Sequence, residues 1–249
     1  MSGLHRRNFL SHTTKTRIGI TFLLIVVVSI CTLLTLTHAL AATIVSDDFN
    51  DNSIDTVTWD PNNLFSSSTD TNVSIAETSQ QLELGPLLQN VNGSSYRGIR
   101  TVNTYNFNDA YASVELVQAP ASDTNAEAMF TVGSDFDNYY RMYVSAGNLI
   151  GLRRRSIGRG AVEATLFSIP YDSTNHRFLR IRNDSGNLYM NTATGTGGVP
   201  GTWVQQYSES WNSLISTSAI IFEIKGGTSQ VEANPPGTVI FDNFDAATP

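Results

Sequence analysis

The chain has 249 residues, of which 15% are charged and 41% are hydrophobic, and its formal net charge is −7. This hydrophobic content excludes a disordered chain, and the acidic balance excludes a generally basic nucleic-acid-binding protein. The single cysteine, Cys31, excludes both a disulfide-built scaffold and a cysteine-rich metal site.

Residues 1–41 have the pattern of an export signal. They carry four of the 15 basic residues and none of the 22 acidic ones, so the rest of the chain is more acidic than the average. The basic stretch precedes an uncharged run, 18–36, and an Ala-x-Ala motif at 39–41, which predict a cleaved signal peptide. The run of about 19 residues is also close to the ~20 that span a bilayer, so an uncleaved membrane anchor is the alternative. Both interpretations predict a secreted or cell-surface protein.

Alternating apolar and polar residues predict that the remainder of the chain is all-β. β-branched and aromatic residues are frequent in each run, and turn-forming residues separate the runs. The predicted strands are 43–49, 72–77, 80–84, 96–105, 110–118, 125–132, 138–144, 149–155, 162–169, 177–183, 187–192, 203–208, 218–225 and 238–244. So many short strands without a linker predict one antiparallel two-sheet β-sandwich of the jelly-roll type. A short helical turn is expected near 212–217.

The same alternation assigns one face of the strands to the core. The predicted core residues are Val114, Leu116, Ala128, Phe130, Val132, Tyr140, Met142, Val144, Leu179 and Ile181. The opposite face is rich in aromatic and arginine side chains, namely Tyr139, Arg141, Tyr143, Phe178, Arg180 and Arg182. Aromatic rings can cover the C–H surfaces of sugars and arginine donates to hydroxyls or carboxylates, so this face predicts a glycan platform. A solvated sheet face with structural arginines is the alternative.

Glu115 and Glu127 are predicted on the same polar face, on neighbouring strands. They could form an acid/base pair, or they could form ion pairs with the arginines of that face. Ion pairing is favoured because neighbouring guanidinium groups keep carboxylates ionised. Both glutamates are therefore candidate ligand contacts, and no catalytic residue is assigned.

Three further groups of residues have weaker signals. Aspartates near the first and last strands could meet and bind Ca²⁺, although acidic turns are also common at strand ends; they are Asp47, Asp48, Asp51, Asp242 and Asp245. The basic cluster of residues 153–155 with Arg159 could bind a polyanion, but alternation places Arg154 on the other face. The tryptophans are predicted to serve mainly in packing; they are Trp59, Trp203 and Trp211.

The two ends of this region resemble a known superfamily. Residues 46–59 (SDDFNDNSIDTVTW) and 237–246 (GTVIFDNFDA) resemble the opening and closing strands of concanavalin A-like lectin/glucanase (LamG-like) domains. Between them, 111–118, 139–149 and 176–192 resemble exported, non-catalytic members. The resemblance covers most of residues 46–246. It implies that the predicted domain, residues 43–249, is a curved jelly roll with paired first and last strands and a concave polar sheet face where relatives bind glycans.

Both catalytic patterns of that superfamily are missing from the sequence. There is no Glu-x-Asp-x-Glu strand, which glucanases use to place a nucleophile and an acid about 5 Å apart. There is also no Gln-Ile-His segment of the alginate-lyase type. The sequence therefore predicts an exported, non-enzymatic carbohydrate-binding domain that requires no cofactor, has no nucleic-acid partner and meets the membrane only through an uncleaved leader. The alternatives are a polysaccharide hydrolase or lyase with a divergent site, and a structural surface protein without a small ligand.

Overall fold

A computed structural model describes residues 42–248. The predictions of a signal peptide or an anchor in residues 1–41 lie outside the described residues. Within residues 42–248, no helix has the length and apolar character needed to cross a membrane.

Every regular element in the described range is a β-strand. The strands are β1 Thr43–Asp47, β2 Trp59–Asp60, β3 Ile75–Thr78, β4 Gln81–Leu84, β5 Ser95–Thr101, β6 Ala110–Gln118, β7 Glu127–Asp135, β8 Asn138–Ser145, β9 Asn148–Ile157, β10 Gly160–Pro170, β11 Phe178–Asp184, β12 Asn187–Ala193, β13 Gly195–Thr196, β14 Val199–Pro200, β15 Val204–Ser210, β16 Ile221–Thr228 and β17 Val239–Ala247. The predicted all-β class is therefore confirmed.

Two antiparallel sheets form the sandwich. Sheet I has the order β15-β12-β11-β6-β17-β4-β3, and β1 also pairs with β17. Sheet II has the order β10-β9-β8-β7-β16-β5-β2. A separate hairpin is formed by β13 and β14. The pairing of the first and last strands, with Thr43 opposite Ala247, confirms the arrangement that the resemblance implied.

The space between the sheets is filled by the predicted core. All ten residues assigned to it by alternation are buried. Aromatic side chains join the two sheets at the centre, where the ring of Phe244 on β17 lies 5.1 Å from that of Trp59 and 5.4 Å from that of Phe222, centroid to centroid. Apolar burial of this kind is the main favourable term in folding, and it stabilises a domain that has no cysteine within residues 42–248.

Each of the fourteen predicted strands corresponds to an observed strand, with ends shifted by a few residues. The strands that the sequence did not predict are β2, β13 and β14, which have two residues each and are too short to alternate. The expected turn of helix near 212–217 is not formed. The chain there makes one tight turn, in which the Ile215 amide donates to the Asn212 carbonyl at 3.0 Å.

Candidate functional site

The predicted glycan platform is divided between the two sheets. Strands β6 and β11 pair with each other in sheet I, whereas β7 and β8 pair in sheet II. Tyr139, Arg141 and Tyr143 therefore lie on the outer side of sheet II, and residues 178–182 contribute to the outer side of sheet I. The expectation of one continuous face was wrong, because alternation reports only whether a side chain points towards the core.

The same division separates the two glutamates. Glu115 is on β6 in sheet I and Glu127 is on β7 in sheet II, so their strands are not neighbours. Glu115 accepts hydrogen bonds from Arg177 Nε and Asn243 Nδ2, both at 2.7 Å. Glu127 accepts one from the Tyr96 hydroxyl at 2.6 Å. The predicted acid/base pair is thus not formed, and Glu115 pairs with an arginine that was not among those expected.

A strap covers the outer side of sheet II. This strap, residues 61–70, crosses β7, β8 and β16, and its Phe65 ring contacts the Tyr139 ring edge to face at 6.1 Å. Tyr139 and Arg141 are buried beneath it, and Tyr143 is half-buried. The half of the predicted platform in sheet II is therefore closed to a large ligand.

Buried charges lie between the strap and sheet II. Arg141 Nη2 donates to Ser66 Oγ at 2.7 Å, and Lys225 Nζ donates to the same oxygen at 2.6 Å. The Ser66 hydroxyl also contacts Glu223, whose carboxylate accepts from the Phe65 amide at 2.7 Å. Lys225 lies 3.4 Å from Glu223, and the two side chains are at most 1% exposed. Lys225 and Glu223 compensate each other's charge, and hydrogen bonds from Arg141 and Lys225 to Ser66 fix the strap in place.

The outer side of sheet I is open. A cleft of about 740 Å³ lies over β6, β11 and β17. Strand register places Asp245, Ser113, Arg180 and Asn191 side by side in one row across four strands. The small Ser113 side chain leaves a gap between Asp245 and Arg180, which are two strands and therefore about 10 Å apart.

Arg180 is the centre of this cleft. Its guanidinium carbon lies 4.0 Å from the Trp203 ring centroid and 5.9 Å from that of Tyr111. Within residues 42–248, no carboxylate lies within 4.0 Å of it, and Nη2 makes one long hydrogen bond, 3.4 Å, to Asn191. Burial lowers the pKa of Arg180 to about 10, and the positive charge of Arg182 adds to this. The guanidinium thus keeps most of its donors available beside two aromatic rings.

The β13–β14 hairpin forms one wall of the cleft. A side chain at Gly195 would clash with the Phe178 ring, and one at Gly198 would clash with the Asn243 amide, so glycine permits this close approach. Phe178 is 2% exposed and supports the wall from below. Phe178 is also part of the cleft lining, so the predicted ligand contact there stays a prediction.

Two further aromatic residues were missed or placed elsewhere by sequence reasoning. Trp203, expected to serve in packing, is half-buried and lines the cleft. Tyr111 also lines it, and its hydroxyl donates to Asp245 Oδ2 at 2.8 Å.

Arg182, in contrast, lies outside the cleft lining. Its guanidinium carbon is 4.0 Å from the Tyr189 ring centroid, and its Nη1 is 2.6 Å from Asp184 Oδ2.

Acidic residues form the rim of the cleft. Three exposed aspartates of the β1–β2 loop line it, namely Asp48, Asp51 and Asp55. Asp47 also lines the cleft but is half-buried, and its carboxylate accepts hydrogen bonds from the Trp59 indole at 2.7 Å and from the Phe49 amide at 2.9 Å. In the part of the chain that the structure describes, no group of three or more acidic, histidine or cysteine residues has the geometry of a metal site. Ca²⁺ binding stays a prediction.

Glu77, next to this loop, is expected to make stability depend on pH. It is 6% exposed and accepts from the Ser53 amide at 3.0 Å. Burial raises the pKa of Glu77 to about 7, and the carboxylates of Asp51 and Asp47 add to the effect. The folded chain therefore holds this proton more tightly than the unfolded chain, and stability falls as pH rises from about 4.5 to about 7.

Glu77→Gln removes that dependence. The variant is expected to melt several degrees above the unmodified protein at pH 8 and close to it at pH 4.5, measured by thermal unfolding across the range. Glu83→Gln, on the neighbouring strand β4, serves as the control and should follow the unmodified protein. Parallel profiles for Glu77→Gln and the unmodified protein would show that Glu77 ionises normally.

Comparisons with known proteins support the fold. No family model and no curated protein matches the chain. Among solved structures, β-agarase A in complex with oligoagarose is similar with a TM-score of 0.57 and 13% identity, covering 82% of this chain and 90% of that one. The CBM2 module of the evolved Dit of Lactobacillus casei BL23 phage J-1 has a TM-score of 0.59 and 10% identity over 84% and 97%.

A third similar structure is an immunostimulatory antigen and pseudo-β-1,3-glucanase of Mycobacterium tuberculosis. Its TM-score is 0.57 at 9% identity, covering 84% of this chain and 99% of that one. At such identities the likeness shows the fold alone. Residues 42–248 therefore form an antiparallel two-sheet jelly roll, the fold that these structures share.

Proposed function

We propose that this protein is an exported, non-enzymatic carbohydrate-binding protein that holds its glycan in the cleft of sheet I. The observation that carries the proposal is Arg180, a guanidinium without a carboxylate partner in the described range, stacked on Trp203 and open to the cleft. An aromatic surface beside a few fixed polar groups is the usual composition of a small-molecule site.

The cleft offers each kind of contact that a sugar ring needs. Trp203 and Tyr111 present aromatic surface to C–H groups, Arg180 donates hydrogen bonds, and Asp245 accepts them. The fold is also that of an agarase solved with oligoagarose, which supports a saccharide as the ligand class. Glu115 and Glu127 lie in different sheets, so the alternative of hydrolysis by that pair has lost its geometric basis.

Arg180→Ala and Trp203→Ala test the site. Each variant is expected to weaken binding of the best glycan from an array screen of the purified full chain by about tenfold or more, since each removes a contact worth ~1–3 kcal/mol. Arg159→Ala is the matched control, because Arg159 is exposed in the β9–β10 turn of sheet II. Isothermal titration gives the affinities, and thermal unfolding verifies that each variant is folded. Unchanged affinity in both cleft variants would exclude this cleft as the site.

Export is proposed from the sequence of residues 1–41 and has its own test. Mass determination of the mature protein is expected to give an N-terminus at Ala42, immediately after the Ala-x-Ala motif. A mature form that retains the apolar run would instead indicate a membrane-anchored protein.

A further inference from the structure

We infer that the cleft takes an uncharged oligosaccharide and discriminates against uronic acid and sulfated polymers. The inference rests on the proposed function, since it names the class of glycan for the same cleft. Three observations carry it: the charges of the lining, the position of Arg180 opposite Asp245, and the extension of the cleft along β6.

Carboxylates outnumber the cation around the cleft. The lining includes one arginine and five aspartates: Asp47, Asp48, Asp51, Asp55 and Asp245. The pKa of Asp47 is raised mainly by burial, and the charges of Asp51 and Asp48 add to this rise. The carboxylates of the lining thus repel one another, and they would also repel a carboxylate or sulfate group of a ligand.

Arg180 and Asp245 face each other across the Ser113 gap, about 10 Å apart. One side of the gap donates hydrogen bonds and the other accepts them, which matches the hydroxyl groups of a neutral sugar. A uronate carboxylate near Arg180 would gain one ion pair, but it would lie within a Debye length of the acidic rim. Neutral hydroxyls make the same contact with Arg180 without that penalty.

A second depression adjoins the cleft along β6. The two depressions share Asp48, Gly198 and Asn243 as lining residues. Tyr111 lines the first depression and Glu115 the second, and four residues of strand separate them by about 13 Å. The lining is therefore longer than one sugar ring, and it fits an oligosaccharide chain that follows the strand.

The basic cluster of β9 is partly neutralised by carboxylates. Arg153 pairs with Glu209 at 2.6 Å, and Arg154 pairs with both Asp137 and Glu163 at 3.0 Å. These carboxylates neutralise Arg153 and Arg154, and the cluster lies in sheet II, away from the cleft.

Matched pairs of glycans that differ only in charge test the inference. Isothermal titration of the purified full chain at low salt would compare agaro-oligosaccharides with their sulfated derivatives, and methyl-esterified oligogalacturonides with the free acids. Where a matched pair of glycans binds, the uncharged glycan is expected to bind at least about tenfold more tightly than the charged one. Hexasaccharides are expected to bind more tightly than disaccharides, because only the longer chain reaches both depressions.

The double variant Asp48→Asn/Asp55→Asn completes the test. Both aspartates are exposed, and asparagine keeps their acceptor oxygens, so the fold is expected to persist. The preference for the uncharged glycan should shrink in this variant, as it should in high salt. Equal or tighter binding of the charged member would overturn the inference but leave carbohydrate binding intact. Failure of every glycan, charged or uncharged, to bind would instead overturn the proposed function.

Discussion

Lys225→Met is expected to lower the free energy of unfolding by about 3–5 kcal/mol, because it leaves the buried Glu223 carboxylate without its counter-charge. Glu223 is 0% exposed and Lys225 is 1% exposed, so water cannot replace the lost partner. Ser66 and Ser67 of the strap would also each lose a donor, at 2.6 and 3.0 Å. Urea unfolding followed by tryptophan fluorescence measures the loss.

The double variant Glu223→Gln/Lys225→Met is the control for this prediction. A neutral glutamine can still accept from the amides of Phe65 and Ser66, so removing both charges should recover much of the stability. A single variant as stable as the unmodified protein would show that the network does not fix the strap.

The stability difference between Lys225→Met and the unmodified protein is expected to grow as the pH rises. Burial lowers the pKa of Lys225 to about 8, below its ordinary value of 10.5, although Glu223 opposes this. Between those values the unfolded chain binds more protons than the folded one, so the contribution of Lys225 to stability rises with pH. The deficit of Lys225→Met should therefore be larger at pH 9.5 than at pH 7.5.

Phe244→Ala is expected to cost about 3–5 kcal/mol, as for other large-to-small changes at buried aromatic residues. Phe244 is 1% exposed on β17 of sheet I, and its ring contacts those of Trp59, Phe130 and Phe222, all on sheet II. The substitution opens a cavity between the two sheets. Urea unfolding would measure the change, and thermal unfolding would show a lower midpoint.

Phe244→Leu is the matched variant, because leucine refills part of the cavity and should lose less than half as much stability. A Phe244→Ala protein that loses under about 1 kcal/mol would show that neighbouring side chains collapse into the space. In that case the aromatic cluster would not be the main connection between the sheets.

The alternation of apolar and polar residues was sufficient to predict the strands and the core residues, but it was not sufficient to predict the candidate site. Alternation along β8 correctly placed Tyr140 and Met142 inward, and along β11 it did the same for Leu179 and Ile181. It carries no information on which sheet a strand joins, and the loop between β6 and β7 takes the chain from one sheet to the other. Side chains that point away from the core were therefore assigned to one face, although some lie on the outer side of sheet I and others on the outer side of sheet II.

Contacts between distant segments account for the rest of the difference. Nothing in the local sequence of β8 shows that Ser66, 75 positions away, receives a hydrogen bond from Arg141 and closes that face. Similarly, Trp203 lies in an irregular segment and contacts Arg180 only because the β13–β14 hairpin folds back over β11. The sequence did contain one signal for this contact. Gly195 and Gly198 lie in that hairpin, and glycine within a strand often marks a close approach of the backbone to other groups.

The pairing of β1 with β17 brings sequence-distant backbone together. Thr43 lies opposite Ala247, and the Thr248 amide donates to the Ala42 carbonyl at 3.0 Å. A short linker between residues 43 and 248 could therefore close the domain into a ring. The β9–β10 turn at Gly158, whose surroundings are open, is a suitable place to create new ends. A circularly permuted gene would then encode the same two sheets and the same cleft, with the strands synthesised in a different order.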